Sequence, residues 1–274
     1  MSALDAYTST FDPKAASASL ARMSVVRPSK LVGPATFRIL PAPTSWPAGN
    51  KPVPGAANVT RTGPFVGYHK HVFGEPGAYV TFACPERNGA GLACPVCAEA
   101  SRLRASPDKV VANRGWDMSA SHVVLVNAVD RSTGQVVTLE LTAPAGKPGG
   151  KTQYEKLLAA AAHPTNGGEI VNPREGYDIV ITKTGSGQTG TSYDVQLVRK
   201  PTPLAATDEA MLALIQGQPD IPAILAADIE AGRAKVAELS APGGSARAVA
   251  ALGATATAAD DLYGDTELVE DADY

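Results

Sequence analysis

The residues best suited to chemistry in this sequence are its three cysteines, Cys84, Cys94 and Cys97, which fall within fourteen positions of a 274-residue chain. Cys94 and Cys97 form the motif CPVC, whose two-residue gap lets both sulfur atoms face one ion from a tight turn. Cys84 is separated from Cys94 by the loop PERNGAGLA, whose glycines allow the chain to fold back with a third sulfur. An odd number of clustered cysteines favours metal binding or reactive thiols over disulfides.

Zinc is the ion that this pattern favours, because it binds thiolates and imidazoles in four-coordinate tetrahedral sites. The fourth ligand must be a histidine or a carboxylate, and the nearest histidines are His69 and His71 in the segment YHKHVF. A Cys3His sphere is closed to substrate, which is typical of a structural site. The spacing leaves the choice between the two histidines open. Buried free thiols and a redox pair are the alternative interpretations.

The elements that must position these residues are mainly β-strands. Short strand patterns separated by Gly- and Pro-rich turns favour a small barrel, of which the OB-fold is one type, within a mainly β (α+β) protein. In the strand 135–141, Val137, Leu139 and Leu141 share one face and Glu140 lies on the other, which predicts a half-exposed strand. The strand patterns are ATFRIL (35–40), GPFVGYHKHVF, GAYVTFAC, SHVVLVNAVD (121–130), QVVTLEL (135–141), YDIVITK and YDVQLVRK.

Helical patterns are fewer and lie mostly towards the C-terminus. Thr152 and Glu155 are spaced as a capping box at the start of TQYEKLLAAAA. The other helical patterns are CPVCAEASRLRAS, TDEAMLALIQG and IPAILAADIEAGRAKVAELS. We therefore divide the chain into a flexible N-terminal arm (1–33), a core (34–200) with a zinc subdomain at about 65–105, a helical extension (201–240), and a linker with an acidic tail (241–274).

Charge is distributed unevenly along the chain. The last fifteen residues contain seven acidic residues and no basic one, whereas the remainder contains 24 basic and 20 acidic residues. Such tails are typically disordered and often contact other proteins, although a purely solubilising role fits the composition equally well. The acidic residues of the tail are Asp260, Asp261, Asp265, Glu267, Glu270, Asp271 and Asp273.

Several functional classes are disfavoured by what the sequence lacks. It contains no apolar run of eighteen residues and no secretion signal, so we expect no membrane span and a cytosolic location. No pair of carboxylates and no combination of nucleophile and base stands out, so we do not expect an enzyme.

Basic and aromatic residues are interleaved along the core, a composition typical of proteins that bind single-stranded nucleic acid. Trp116 lies in the polar segment NRGWD, which we interpret as a loop whose indole either fills a surface pocket or awaits a ligand. For the tyrosines, packing in the core is the alternative. The candidate DNA-binding residues are Arg38, Tyr68, Lys70, Arg114, Trp116, Lys151, Tyr154, Lys183 and Tyr193.

The complete spacing His71-x12-Cys84-x9-Cys94-x2-Cys97 resembles the zinc-binding pattern of the single-stranded DNA-binding (helix-destabilising) proteins of T4-type tailed bacteriophages. The flanking segments FRILPAP and HVF, the later stretch PREGYDIVITK and the acidic end resemble that family too. The resemblance implies an OB-fold with an inserted zinc subdomain and one structural Zn2+ held by these four residues. It also implies sequence-independent binding of single-stranded DNA during phage DNA replication, recombination and repair.

The same resemblance has implications beyond the metal. It implies that Arg114 and Trp116 line the DNA cleft and that the acidic tail recruits replication and recombination proteins. It implies a location in the cytoplasm of the infected bacterial host. Self-association along DNA is left open, because the basic and hydroxyl residues of the arm are spread thinly over RMSVVRPSK (22–30).

Two other functions fit parts of the sequence. In the first, the zinc merely stabilises a protein-interaction module. In the second, AGKPGGKT (145–152) acts as the phosphate loop of a nucleotide hydrolase, since it lies between a strand and a helix. Against the second, Ala145 replaces the first glycine, and no apolar strand ending in an acidic metal ligand follows.

Overall fold

The structure, a computed structural model, describes residues 25–43, 46, 56–73, 80–144, 152–162, 170–186 and 190–240. Within these ranges the protein is a mixed α+β fold dominated by one nine-stranded sheet. Its strands are β1 (Val25–Val26), β2 (Ala35–Ile39), β3 (Thr60–Thr62), β4 (Phe65–Phe73), β5 (Val80–Ala83), β6 (Ser121–Asp130), β7 (Val136–Thr142), β8 (Ile179–Thr184) and β9 (Ser192–Leu197). Its helices are α1 (Pro95–Arg104), α2 (Lys109–Asp117), α3 (Gln153–Ala161), α4 (Asp208–Gln216) and α5 (Ile221–Ser240).

The long strand β6 is the point at which the sheet divides. One edge of β6 pairs with β7 along most of its length. The other edge pairs with β4 through Ser121–Leu125 and with β2 through Ala128–Asp130. From β2 the sheet continues to β8 and β9, whereas β4 also pairs with β3 and β5. The second half of β4 thus leaves β6 and pairs with β5, which carries His71 away from the main sheet.

The main hydrophobic core lies on one face of the β7-β6-β2-β8-β9 branch. Val137, Leu139 and Leu141 are all buried in it, as the alternation in the sequence predicts. Tyr193 and Val195 are also buried, while Asp194 and Gln196 between and after them are exposed. The period-two pattern therefore identified the inward face of β7 correctly, and β9 shows the same alternation.

The opposite face of β7 is covered as well, so the expectation of a half-exposed strand is wrong. Glu140 is 7% exposed and accepts hydrogen bonds from Lys70 Nζ (2.5 Å) and Arg27 Nε (2.7 Å). Burial raises the pKa of a carboxyl group, but the charges of Lys70 and Arg27 outweigh that effect and lower the pKa of Glu140. Glu140 can be buried because two bases from distant segments, Lys70 and Arg27, neutralise its charge. The alternation of the strand alone does not reveal these partners.

The start of the described chain is part of the folded body rather than of a flexible arm. β1 pairs in parallel with β7, and Val26 and Leu31 pack against the main core. Lys183 Nζ donates to the carbonyl oxygen of Ser29 at 2.7 Å. Residues 25–33, assigned to the arm from their composition, are therefore attached to the sheet, and residues 1–24 lie outside the described residues.

Helix α2 is an α-helix that the sequence pattern does not predict, because NRGWD was interpreted as a loop. Asp108 caps this helix by accepting from Val110 N at 2.8 Å. Glycine weakens a helix, which made the segment resemble a loop. Gly115 is required here, however, because a Cβ at this position would lie 2.7 Å from Ala100 O and 2.6 Å from Arg104 N. The glycine lets α2 pack directly against α1.

The stretch Asp208–Ala237 is long and apolar enough, by length and composition alone, to cross a membrane. In the structure it forms two helices, α4 and α5, separated at residues 217–220. Ile221, Leu225 and Ile229 of α5 are buried against β4, β6 and the segment before β3. Packing in the protein core therefore accounts for the apolar residues on this face of α5.

Asp228 on α5 should make stability depend on pH. Burial, the largest cause, raises its pKa to about 6, although the charge of Lys70 partly opposes the shift. Because an unfolded aspartate titrates near pH ~3.9, this group stabilises the fold fully only below that pH, and the contribution is lost as pH rises to about 6. We expect the stability of Asp228→Asn relative to wild type to rise by about 2 kcal/mol between pH 4.5 and pH 7.5, measured by urea unfolding.

The matched control for Asp228 is Glu230→Gln, since Glu230 lies on the exposed side of the same helix. This variant removes an exposed charge from the same helix and serves as the baseline for Asp228→Asn. A constant difference between Asp228→Asn and wild type over this range would contradict the prediction. Comparing variants at each pH cancels the titration of every other group in the protein.

Candidate metal centre and nucleic-acid interface

Four side chains from separate elements converge on one point in the protein interior. His71 lies in β4, Cys84 directly follows β5, Cys94 precedes α1, and Cys97 is in the first turn of that helix. All four residues are buried, and their ligand atoms lie within 4.8 Å of one another. The structure therefore brings together the His and Cys residues of the predicted spacing into one group that could hold a metal ion.

Three of the six distances between the ligand atoms fit a tetrahedral ion, and all six are within 4.8 Å. The Nε2 atom of His71 lies 3.5 Å from the Sγ atoms of both Cys94 and Cys97, and Cys84 Sγ lies 3.5 Å from Cys97 Sγ. A tetrahedral zinc, with Zn–S of about 2.3 Å and Zn–N of about 2.0–2.1 Å, separates its ligand atoms by about 3.5–3.8 Å. Three thiolates and one imidazole are also the donor set that zinc prefers.

Surrounding groups orient the four side chains. The Nδ1 atom of His71 lies 2.9 Å from the carbonyl oxygen of Met118, which requires Nδ1 to carry the proton and leaves Nε2 available for a metal. The backbone N–H of Arg87 donates to Cys84 Sγ at 3.4 Å. The N–H of Cys94 donates to Glu86 Oε2 at 2.7 Å. Hydrogen bonds to Cys84 Sγ and to the Glu86 carboxylate thus hold the loop between Cys84 and Cys94 in place.

The thiols cannot all ionise without a cation. Hydrogen bonds shared with Cys84 and Cys97 lower the pKa of Cys94, whereas those with Cys84 and Cys94, together with burial, raise the pKa of Cys97. Three buried thiolates side by side would repel one another strongly. A divalent cation removes that repulsion and releases the remaining protons, so the chemistry of the donor set favours a bound metal.

The choice between the two histidines, which the spacing left open, is resolved by the geometry. His69 stacks on His122 with ring centroids 4.7 Å apart and 16° between the planes. Burial, followed by the charge of His122, lowers the pKa of His69 to about 4. His69 and His71 are two positions apart in β4 and therefore share a face of the strand. Of the two, His71 is the one whose ring lies with the cysteines.

The helix pair beside the metal cluster presents an exposed aromatic side chain. Trp116 on α2 is 49% exposed, and the guanidinium carbon of Arg104 lies 4.7 Å from its ring centroid. Arg104 is the last residue of α1, so the stack joins the two helices. Arg114, on the same helix as Trp116, is half-buried. One face of the indole is thus occupied by a cation, while about half of the side chain stays exposed.

A family model described as "gp32 DNA binding protein like" matches residues 33–238, about three quarters of the chain. The chain belongs to this gp32-like family of DNA-binding proteins. The match confirms the resemblance to the single-stranded DNA-binding proteins of T4-type phages, and the family is not one of enzymes. No curated protein matches the chain.

Four of the proposed DNA-binding residues of this gp32-like protein lie inside it. Tyr68 and Tyr193 are each 5% exposed. Lys70 is 2% exposed and paired with Glu140. Arg38 is fully buried, donating to Asp178 Oδ1 at 3.4 Å and to the carbonyl oxygen of Asn172 at 2.6 Å. Burial argues against direct contact with DNA, because basic and aromatic residues that serve the core cannot reach a strand outside it.

The remaining candidates differ in their positions. Tyr154 packs its ring 5.4 Å from that of Phe65, and burial raises its pKa. Lys183 is half-buried, with its amine on Ser29 O. Lys151 and the acidic residues 260–273 lie outside the described residues. Trp116 is therefore the most accessible of the predicted DNA-binding residues that the structure describes.

Sequence reasoning missed two functional candidates in the gp32-like domain. Arg104 was overlooked because its partner Trp116 lies twelve positions away on another helix. Met118 was overlooked because it contributes only a backbone carbonyl to His71. The basic residues of RLR, in the last turn of the CPVC helix, were the available signal for Arg104, since arginine often stacks on exposed aromatic rings.

The phosphate-loop interpretation finds no support at Thr152. Its hydroxyl accepts from Glu155 N at 3.3 Å and donates to Glu155 Oε2 at 2.8 Å, which confirms the predicted capping box at the start of α3. A phosphate-loop threonine would need that hydroxyl for a magnesium ion. Residues 145–151 lie outside the described residues.

Proposed function

We propose that this gp32-like protein binds single-stranded DNA without sequence preference. We propose further that one structural zinc ion organises its metal-binding lobe, the residues 71–73 and 80–120 around the four ligands. The observation that carries the proposal is the buried His71, Cys84, Cys94 and Cys97 group in a chain whose family match spans the surrounding fold. A closed set of three thiolates and one imidazole leaves no position for a substrate. The metal would therefore stabilise the fold, and the DNA would be bound by other residues.

We propose that the sheet is an OB-type barrel with the metal-binding segment inserted between β4 and β6. Antiparallel pairing of β2, β6, β7, β8 and β9 supports the barrel, and the departure of β4 from β6 supports the insertion. Zinc would hold β4, the loop after β5, and α1 through their four ligands. It would reach α2 through the hydrogen bond from His71 to Met118 O. The stack of Arg104 on Trp116 spans these helices and is the proposed platform for a DNA base.

The wider biological role rests on the family and on the composition of the tail. We propose that the protein acts in phage DNA replication, recombination and repair in the cytoplasm of the infected host. The tail 260–274, with seven acidic residues, would recruit basic surfaces of other replication and recombination proteins.

Tryptophan fluorescence tests the proposed DNA contact directly. The chain has only two tryptophans, of which Trp46 is 6% exposed and Trp116 is 49% exposed. Oligo(dT) should quench Trp116 by stacking, and added salt should reverse the quenching by restoring counterions to the phosphates. A Trp46→Phe variant isolates the signal of Trp116. If emission stays unchanged at low salt and gel shifts show no complex, the protein-interaction module is the better interpretation.

Trp116→Ala should weaken binding to oligo(dT) by about 5- to 150-fold, equivalent to the loss of about 1–3 kcal/mol from one stacked base. The melting temperature should change little, because the side chain is half-exposed. Val110→Ala is the matched control, since Val110 is an exposed apolar residue on the same helix. Wild-type affinity in the Trp116 variant, measured by fluorescence anisotropy, would rule out this platform.

A further inference from the structure

Helix α5 reaches two separate parts of the protein. Its first half contributes Ile221, Leu225 and Ile229 to a cluster with residues of β4 and β6. Its second half contributes Val236 and Leu239 to the cluster that contains Cys84, Cys94 and Cys97. Every other member of that second cluster lies between residues 73 and 120. Among the described residues, α5 is therefore the one distant segment that packs around the candidate metal ligands.

The contact between α5 and the metal-binding lobe depends on a glycine. A Cβ on Gly232 would overlap the carbonyl oxygen of Ala83 and lie 3.6 Å from the Phe82 ring. Ala83 is the residue directly before Cys84, and β5 pairs only with β4 within the described sheet. Helix α5 thus lies against the open edge of β5, at the residue next to a ligand.

From these contacts we propose that α5 retains the metal ion, with Gly232, Val236 and Leu239 as positioning residues. The inference rests on the proposed zinc. A buried thiolate can exchange its metal only when a competing ligand or a proton reaches the sulfur. Helix α5 packs against the residues around the ligands but carries no ligand itself. Its local detachment would therefore open a route to the cysteines without unfolding the sheet. The helix therefore sets the rate of metal loss more strongly than it sets global stability.

The primary test is Gly232→Ala in the full-length, zinc-loaded protein. Helix propensity alone favours alanine, so any loosening must come from the overlap with Ala83. Zinc transfer to an excess of a chromophoric chelator, and alkylation of the three cysteines followed by mass spectrometry, should both be roughly tenfold faster than in wild type. Gly217→Ala should exchange zinc at the wild-type rate, because a Cβ there would meet only Ala213 O of the preceding helix α4, at 3.0 Å.

A second pair of variants separates retention from general stability. Val236→Ala and Val129→Ala each remove two methyl carbons from a buried valine, but Val129 belongs to a cluster with Leu40, Leu204 and Met211 that contains no ligand. For equal losses in melting temperature, only Val236→Ala should accelerate zinc transfer and alkylation. Equal rates in both variants would overturn the role of α5. A wild-type protein that takes up no zinc would overturn the proposed metal itself, and the retention role with it.

Discussion

Replacing Cys94 by serine will leave the purified protein without stoichiometric metal and will lower its free energy of unfolding by about 3–5 kcal/mol. A serine hydroxyl does not ionise at neutral pH and is a poor ligand for zinc, so one quarter of the coordination sphere is lost. Metal binding to a folded site contributes its free energy directly to folding. Metal content by mass spectrometry and urea unfolding with and without chelator are the measurements. Loss of DNA affinity should follow from the loss of folded protein.

Val96→Ala is the matched control for this substitution. Val96 is fully buried beside the ligands but contributes no donor atom, so the variant should lose packing energy and keep its zinc. In wild type the chelator should lower the melting temperature, and in Cys94→Ser it should have no further effect. Equal stability of wild type and Cys94→Ser, with or without chelator, would remove the structural role of the metal.

Glu140→Gln should destabilise the protein by about 3–5 kcal/mol, since breaking a buried ion pair leaves an uncompensated charge in the interior. Lys70 is 2% exposed, and in this variant its ammonium group would lose the charge of Glu140, with that of Asp228 still nearby, whereas Arg27 is partly exposed. Burial already lowers the pKa of Lys70, and Glu140 is the main opposing influence. Chemical unfolding at pH 7.5 measures the effect.

The double variant Lys70→Met/Glu140→Leu should recover most of the lost stability, because an apolar pair of similar volume needs no neutralisation. Lys109→Met, at an exposed position on α2, should leave stability unchanged. If Lys70→Met alone weakened DNA binding at full stability, Lys70 would be a DNA contact despite its burial. If Glu140→Gln unfolded at the wild-type urea concentration, the ion pair would contribute nothing to stability.

The metal cluster could be predicted from the sequence because its requirements are local and chemical. Two cysteines two residues apart must lie in one turn, and a glycine-rich loop of nine residues can bring a third to the same point. The choice between His69 and His71 was not decidable from spacing. It depends on the register of β4 with β5 and β6, which places His71 opposite Phe82 and His69 opposite His122.

The DNA-binding candidates were harder to predict because a basic or aromatic residue has the same letter in a core and on a surface. Nearly every residue of β4, FVGYHKHVF, is buried, so the strand has no polar face from which exposure could be inferred. Lys70 and Arg38 lie inside because Glu140 and Asp178, distant in sequence, neutralise them. Trp116 was identified correctly as unusual, but its helix was missed because Gly115 serves packing against α1.

The imidazole of His71 makes a different contact with each ring nitrogen: Nδ1 donates to Met118 O, and Nε2 faces the cysteines. A fourth cysteine in its place could complete an all-sulfur sphere but would leave the carbonyl of Met118 without a donor. The ion would then be bound, yet no longer tied to the end of the tryptophan-bearing helix. A His71→Cys protein should therefore separate two properties that the natural chain joins: ion affinity, which it would keep, and a fixed orientation of the indole, which it would lose.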